Sequence, residues 1–146
     1  MSIDPETNCN PAAAPAARPW HVIAAVADLM FTAKISAAAK QAGCVVKFLQ
    51  QEEKLLAAIA ETPSDAAPLV IVDLNHLTLK AAEFVARLKS NPGTASVPVL
   101  AYLSHVQVDL KRAAEQAGCD LVLPRSVFSQ NIHEILRRQS CHLANL

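Results

Sequence analysis

Apolar positions along the chain fall into two alternating textures. Short continuous apolar runs recur at His21–Ala27, Cys44–Leu49, Leu69–Asp73, Val97–Leu103 and Leu121–Leu123. Runs of this length, rich in Val and Leu and bounded by turn residues, read as buried strands. Between them, and after the last, apolar residues return at helical spacing. Phe31, Ile35, Ala38, Ala39 and Ala42 mark one face of a helix over Phe31–Gln41, which Gly43 ends. Glu52–Glu61 carries Leu55, Leu56, Ala58 and Ile59 on one side. Leu79–Asn91 turns Phe84, Val85 and Leu88 inward and stops at Asn91-Pro92-Gly93. Asp109–Ala117 is closed by Gly118. Ser126–Arg138 has Ile132, Ile135 and Leu136 as its stripe, with Ser126 or Ser129 as candidate N-cap. Five apolar strands alternating with five helices predict an α/β, (βα)5 architecture. Right-handed crossovers make it a doubly wound three-layer sandwich on a parallel sheet of order 2-1-3-4-5.

Composition narrows the class. The chain has 146 residues, one domain's worth, with 13 Lys plus Arg against 13 Asp plus Glu. Zero net charge argues against a general electrostatic grip on nucleic acid or on an anionic membrane. No apolar run reaches the roughly 20 residues of a membrane span. With three glycines, Gly43, Gly93 and Gly118, a multi-glycine phosphate loop is excluded. Residues 1–19 hold Pro5, Pro11, Pro15 and Pro19 among alanine clusters and no apolar period, so they read as a disordered leader. The ordered domain is expected over 20–140, with 141–146 as a tail. Cys9, Cys44, Cys119 and Cys141 stand singly without a secretory signal, which reads as reduced thiols in a cytoplasm. His133, Cys141 and His142 match no common zinc spacing, and no nucleophile elbow or Cys-His pair is visible.

In a sheet of this kind, chemistry gathers at the carboxyl ends of the strands. There the sequence places Asp28 after the first strand and Asp73 at the end of the third. Leu103-Ser104-His105 ends the fourth strand, and Pro124-Arg125 ends the fifth. Taken singly, Asp28 reads as an N-cap, Asp73-Leu74-Asn75 as turn chemistry, Ser104 as a cap and Arg125 as a loop cation. Together at one rim they read as a site.

From Trp20 to about Arg138 the chain resembles the receiver domain of bacterial two-component response regulators, a flavodoxin-like phosphoacceptor module. Val70–Asn75 (VIVDLN) resembles its third strand and Val97–Ser104 (VPVLAYLS) its fourth. Ala117–Ser126 (AGCDLVLPRS) resembles the stretch that carries its lysine. The resemblance implies that Asp73 holds the phosphoacceptor position. It further implies that Asp28, Asp73 and the backbone carbonyl of Asn75 would hold Mg2+, and that Arg125 replaces the family's lysine. Leu103 takes the place of the switch hydroxyl unless Ser104 reaches in. Val122 stands at the switch aromatic and Ser126 at the proline after the lysine. The usual pair of acids after the first strand is reduced to Ala27-Asp28, so Mg2+ is expected to bind weakly or to be lost.

Two readings rest on this resemblance. One is a stand-alone receiver-like signalling module in a phosphorelay, not an enzyme, docking to a sensor histidine kinase or other signalling protein. The other is a phosphorylation-independent pseudo-receiver serving interaction or dimerisation. A flavodoxin-like domain for a small ligand is the third alternative. The resemblance also implies a docking or homodimer face on the fourth helix, fifth strand and fifth helix, with Val106, Val108, Leu110, Val127 and Phe128. No partner of nucleic acid or membrane is expected.

Overall fold

The computed structural model of the chain describes residues 18–104 and 107–138. The leader up to residue 17, the tail 141–146, His105, Val106, Cys141 and His142 lie outside the described residues. The chain runs β1 (Trp20–Ala25), α1 (Leu29–Ala42), β2 (Val45–Phe48), α2 (Glu52–Ala60), β3 (Ala67–Asp73), α3 (Ala81–Ser90), β4 (Val99–Leu103), α4 (Val108–Ala117), β5 (Leu121–Pro124) and α5 (Arg125–Arg137). The sheet has the expected order, β2-β1-β3-β4-β5, and every pairing is parallel.

Strand periodicity divides the core in two. Trp20, Val22, Ala24, Leu69, Ile71, Leu100 and Tyr102 pack with Phe31, Ile35, Phe128 and Ile132 of α1 and α5. Their alternates Ile23, Ala25, Val70, Val72, Val99, Ala101 and Leu103 pack with Leu55, Phe84, Leu88 and Ala114 of α2, α3 and α4. Burying both faces of one sheet explains why its strands read as continuous apolar runs.

Of the boundaries that differ from expectation, three stand out. First, β3 begins at Ala67 and so includes Pro68. The amide of Ala67 donates to Pro19 O on the β1 side and that of Val70 to Pro98 O on the β4 side. Residue 68 shares Val70's parity, so the missing N–H faces the β4 side below Val70, where β3–β4 pairing begins. The proline removes no ladder bond. Second, β1 ends at Ala25 rather than Ala27, leaving Ala27 and Asp28 to shape the turn into α1. Third, neither Ser126 nor Ser129 caps α5. The helix starts at Arg125 directly from extended Pro124, and Ser129 Oγ instead accepts from Lys34 Nζ of α1 at 2.8 Å.

The expected docking face is also corrected at Phe128, which is buried in the α1/α5 layer. Leu110 packs partly against the other layer, and Val108 and Val127 remain exposed. Among the described residues no helix is long and apolar enough to cross a membrane.

Candidate functional site at the carboxyl edge of the sheet

The strand order reverses between β1 and β3, and at that switch point the carboxyl ends open a cavity of about 330 Å3. Ala27, Asp28, Asp73, Asn75, His76, Leu77, Tyr102, Ser104 and Arg125 line it. Asp28, Asp73, Ser104 and Arg125 thus meet there, contributed from the carboxyl ends of β1, β3, β4 and β5. Leu103 does not join them. Alternation turns its side chain into the α2/α3/α4 layer, while Ser104, one residue on, reaches the rim.

Each side chain has a local cause. Asp28 has extended backbone before α1, and its Oδ1 accepts from the amides of Met30 at 2.8 Å and Phe31 at 3.2 Å. That is N-cap geometry. Its Oδ2 accepts from Nη2 of Arg125, so both carboxylate oxygens are engaged. Arg125 is the first residue of α5, and its guanidinium lies over the Phe31 ring, 4.9 Å from the centroid. Phe31, Tyr102 and Phe128 continue as a stack, with Tyr102 4.8 Å from each partner ring.

Asp73 ends β3 with Oδ1 accepting from the Asn75 amide at 2.8 Å. Burial holds its carboxyl above the ordinary range, and the Asp28 charge adds to this. The Asn75 amide and the charge of Arg125 act the other way. Asn75 also works through its side chain. Its Oδ1 accepts from the amide and hydroxyl of Ser104 at 2.9 and 3.1 Å, and its Nδ2 donates to Gln107 Oε1 at 3.0 Å. One residue thus ties the Asp73 carboxylate to the end of β4 and the N-cap of α4. On the other flank, His76 Nδ1 accepts from the Leu79 amide at 2.9 Å. Its Nε2 therefore donates to Gln50 Oε1 at 2.6 Å, and Gln50 Nε2 donates to Val26 O at 3.0 Å.

Tyr102 was not among the residues expected here. It is 1% exposed, and its hydroxyl makes no hydrogen bond of normal geometry among the described residues. In register it pairs with Asp73. Burial raises its phenol pKa well above the usual range, with the charges of Asp73 and then Asp28 adding, so the group stays protonated. The available signal was a lone tyrosine in an aliphatic strand, two positions before Ser104 and on the face opposite Leu103.

The donors do not suit a divalent cation. Mg2+ favours one or two free carboxylates among its oxygen ligands. Here both Asp28 oxygens are taken and Ala27 supplies none. Among the described residues no three His, Cys, Asp or Glu side chains gather to hold a metal. Val122 is partly buried against the α2/α3/α4 layer, and Ser126 is the second residue of α5. Of the cysteines, Cys44 and Cys119 are free, and burial pushes the Cys119 thiol up to about 12, which leaves it a poor nucleophile.

No protein-family model and no curated protein matches the chain. Solved structures do. A response regulator of Chloroflexus aurantiacus, described as putative, superposes with TM-score 0.67 at 20% identity, covering 83% of this chain and all 100% of that one. The chemotaxis protein CheY4 of Vibrio cholerae gives 0.67 at 19%, over 84% of this chain and 98% of its own. A receiver domain from Rhodospirillum rubrum gives 0.65 at 17%, over 80% and 91%. The Mn2+-bound response regulator Rcp1 gives 0.65 at 15%, again over 80% and 91%. The chain thus has the (βα)5 flavodoxin-like fold of the response-regulator receiver domain.

Proposed function

We propose that the chain is a receiver-like signalling module of the two-component type, with Asp73 as its phosphoacceptor. The observation that carries this reading is the placement of Asp73. It ends the central strand β3 in a cavity it shares with a guanidinium, a buried phenol and a serine hydroxyl. The donor would be a phosphohistidine of a sensor kinase or another phosphorylated signalling protein. In the step, Asp73 Oδ2 forms the new P–O bond as the P–N bond of the donor breaks. The leaving imidazole takes up one proton and is released neutral. Transfer of this kind rests on in-line positioning and on neutralising the charge of the phosphoryl oxygens. The partner supplies the labile bond, so this chain is an acceptor rather than an enzyme in its own right.

Output would pass by protein docking, with the Asp73–Asn75–Gln107 connection leading to α4. Exposed Val108 and Val127 make the α4–β5–α5 face the homodimer surface in this reading, within the cytoplasm and without nucleic acid or membrane. Incubation with acetyl phosphate followed by intact-mass measurement tests it. The expected result is the mass of one phosphoryl group on the wild type and none on Asp73→Asn. Unchanged wild-type mass over a range of donor concentrations would favour the phosphorylation-independent pseudo-receiver.

A further inference from the structure

We infer that Arg125 is the resident cation of this cavity and that a tetrahedral phosphoryl-type anion is held at Asp73 by Arg125 and Tyr102 without a divalent metal. The inference rests on the reading of Asp73 given above and departs from the metal dependence that the resemblance implies. Two independent observations carry it. The first is the Asp28–Arg125 pair. A carboxylate that caps α1 with one oxygen and binds a guanidinium with the other has no free oxygen for a metal ion. The guanidinium brings the positive charge to the same rim. It spends one N–H group on Asp28, and its others take no partner among the described residues. A planar fork with spare donors suits two oxygens of a tetrahedral anion.

The second observation is the Tyr102 hydroxyl. A phenol 1% exposed and without a well-formed hydrogen bond among the described residues leaves a buried donor poorly satisfied, an arrangement native interiors rarely keep. The hydroxyl lies close enough to Asp73 for the carboxylate to act on it by charge and, more weakly, as a hydrogen-bond acceptor, yet the two make no hydrogen bond of normal geometry. An oxygen carried by Asp73 would satisfy it. Leu103 offers no hydroxyl, and Ser104 Oγ already donates to Asn75 Oδ1 at 3.1 Å, so Tyr102 is the donor left for the anion on the β4 side. Asp28 then has a second role. It competes with the anion for Arg125, setting the affinity by holding the cation back.

Beryllofluoride, a tetrahedral mimic of a carboxyl-bound phosphoryl group, tests this by titration into metal-stripped protein followed by fluorine NMR and calorimetry. Binding is expected in chelator-treated buffer, and added Mg2+ should change the affinity by less than about twofold, within RT of free energy. Arg125→Ala and Tyr102→Phe should each weaken it by roughly tenfold to a hundredfold, the range for one hydrogen bond to a charged group. Arg125→Lys, which restores the charge, should recover part of the loss. Asp28→Asn keeps an N-cap side chain and frees Arg125, so it should bind more tightly than wild type. Binding that needs Mg2+ and weakens in Asp28→Asn would overturn the inference and leave the reading of Asp73 standing. No binding with or without Mg2+, or binding indifferent to Asp73→Asn, would overturn both.

Discussion

The cost of this site is concentrated in single residues. Asp73 sits where burial disfavours its charge, and a carboxyl whose folded-state pKa is raised binds its proton more tightly folded than unfolded. Its ionised form therefore weakens the fold. That penalty is absent below the ordinary Asp value, sets in through the window above it, and is complete once pH passes the raised folded-state value. Asp73→Asn should thus raise stability against urea at pH 7, and the gain should shrink toward zero as pH falls below about 4. A gain independent of pH would show that burial of the charge is not its source. Tyr102 follows similar logic. Removing a poorly satisfied buried hydroxyl leaves the aromatic stack in place, so Tyr102→Phe should hold or raise stability by about 1 kcal/mol. That same substitution weakens anion binding, a combination that a merely structural tyrosine would not give. The acids and the cation of the rim were legible as residue types at strand ends. What each oxygen does was not, because Asp28 can cap or ligate with the same side chain, and only the Arg125 contact decides. Tyr102 was hidden among core aliphatics because its value lies in cross-strand register with Asp73.

At the level of elements, strand and helix identities followed from periodicity, while ends did not. Pro68 enters β3 because the neighbouring strand starts two residues later, a fact of pairing rather than of propensity. α5 begins before its serines because Pro124 already holds an extended, fixed φ and Arg125 is drawn to Asp28. The α4–β5 turn shows what fastens elements of this fold together. Gly118 has φ +112, and a Cβ there would lie 2.8 Å from Cγ of Lys89. Lys89 Nζ in turn donates to Val97 O at 2.7 Å and to Asp120 Oδ2 at 2.9 Å, which also accepts from the Val99 amide at 2.8 Å. One lysine thus joins α3 to the starts of β4 and β5. Gly118→Ala should cost about 1–3 kcal/mol through backbone strain and displaced lysine together. In a Lys89→Ala background the added cost should fall to the strain alone, and the double-mutant cycle reads the difference. Additive losses would mean that the lysine moves aside freely.

Across the whole molecule, the cavity and α4 communicate through few contacts. Asn75 takes part in the Asp73 carboxylate contact, the Ser104 contact and the Gln107 contact. A group bound at Asp73 can shift α4 only through contacts that differ between the two states. Beryllofluoride should therefore alter amide exchange over residues 107–118 in the wild type, modestly, since Leu103 and Val122 lie in the core layer. Asn75→Ala should abolish that change while leaving beryllofluoride bound; persistence of the change would place the connection elsewhere. The central claim is that Asp73 is the acceptor, and it is tested most directly by locating the bond. Protein treated with acetyl phosphate and reduced with borohydride converts an aspartyl phosphate to homoserine, which peptide mass mapping assigns to a position. The expected result is conversion at residue 73 alone, in chelator-treated buffer as well as with Mg2+. Conversion at Asp28 or at any other carboxylate, or none under either condition, would contradict it.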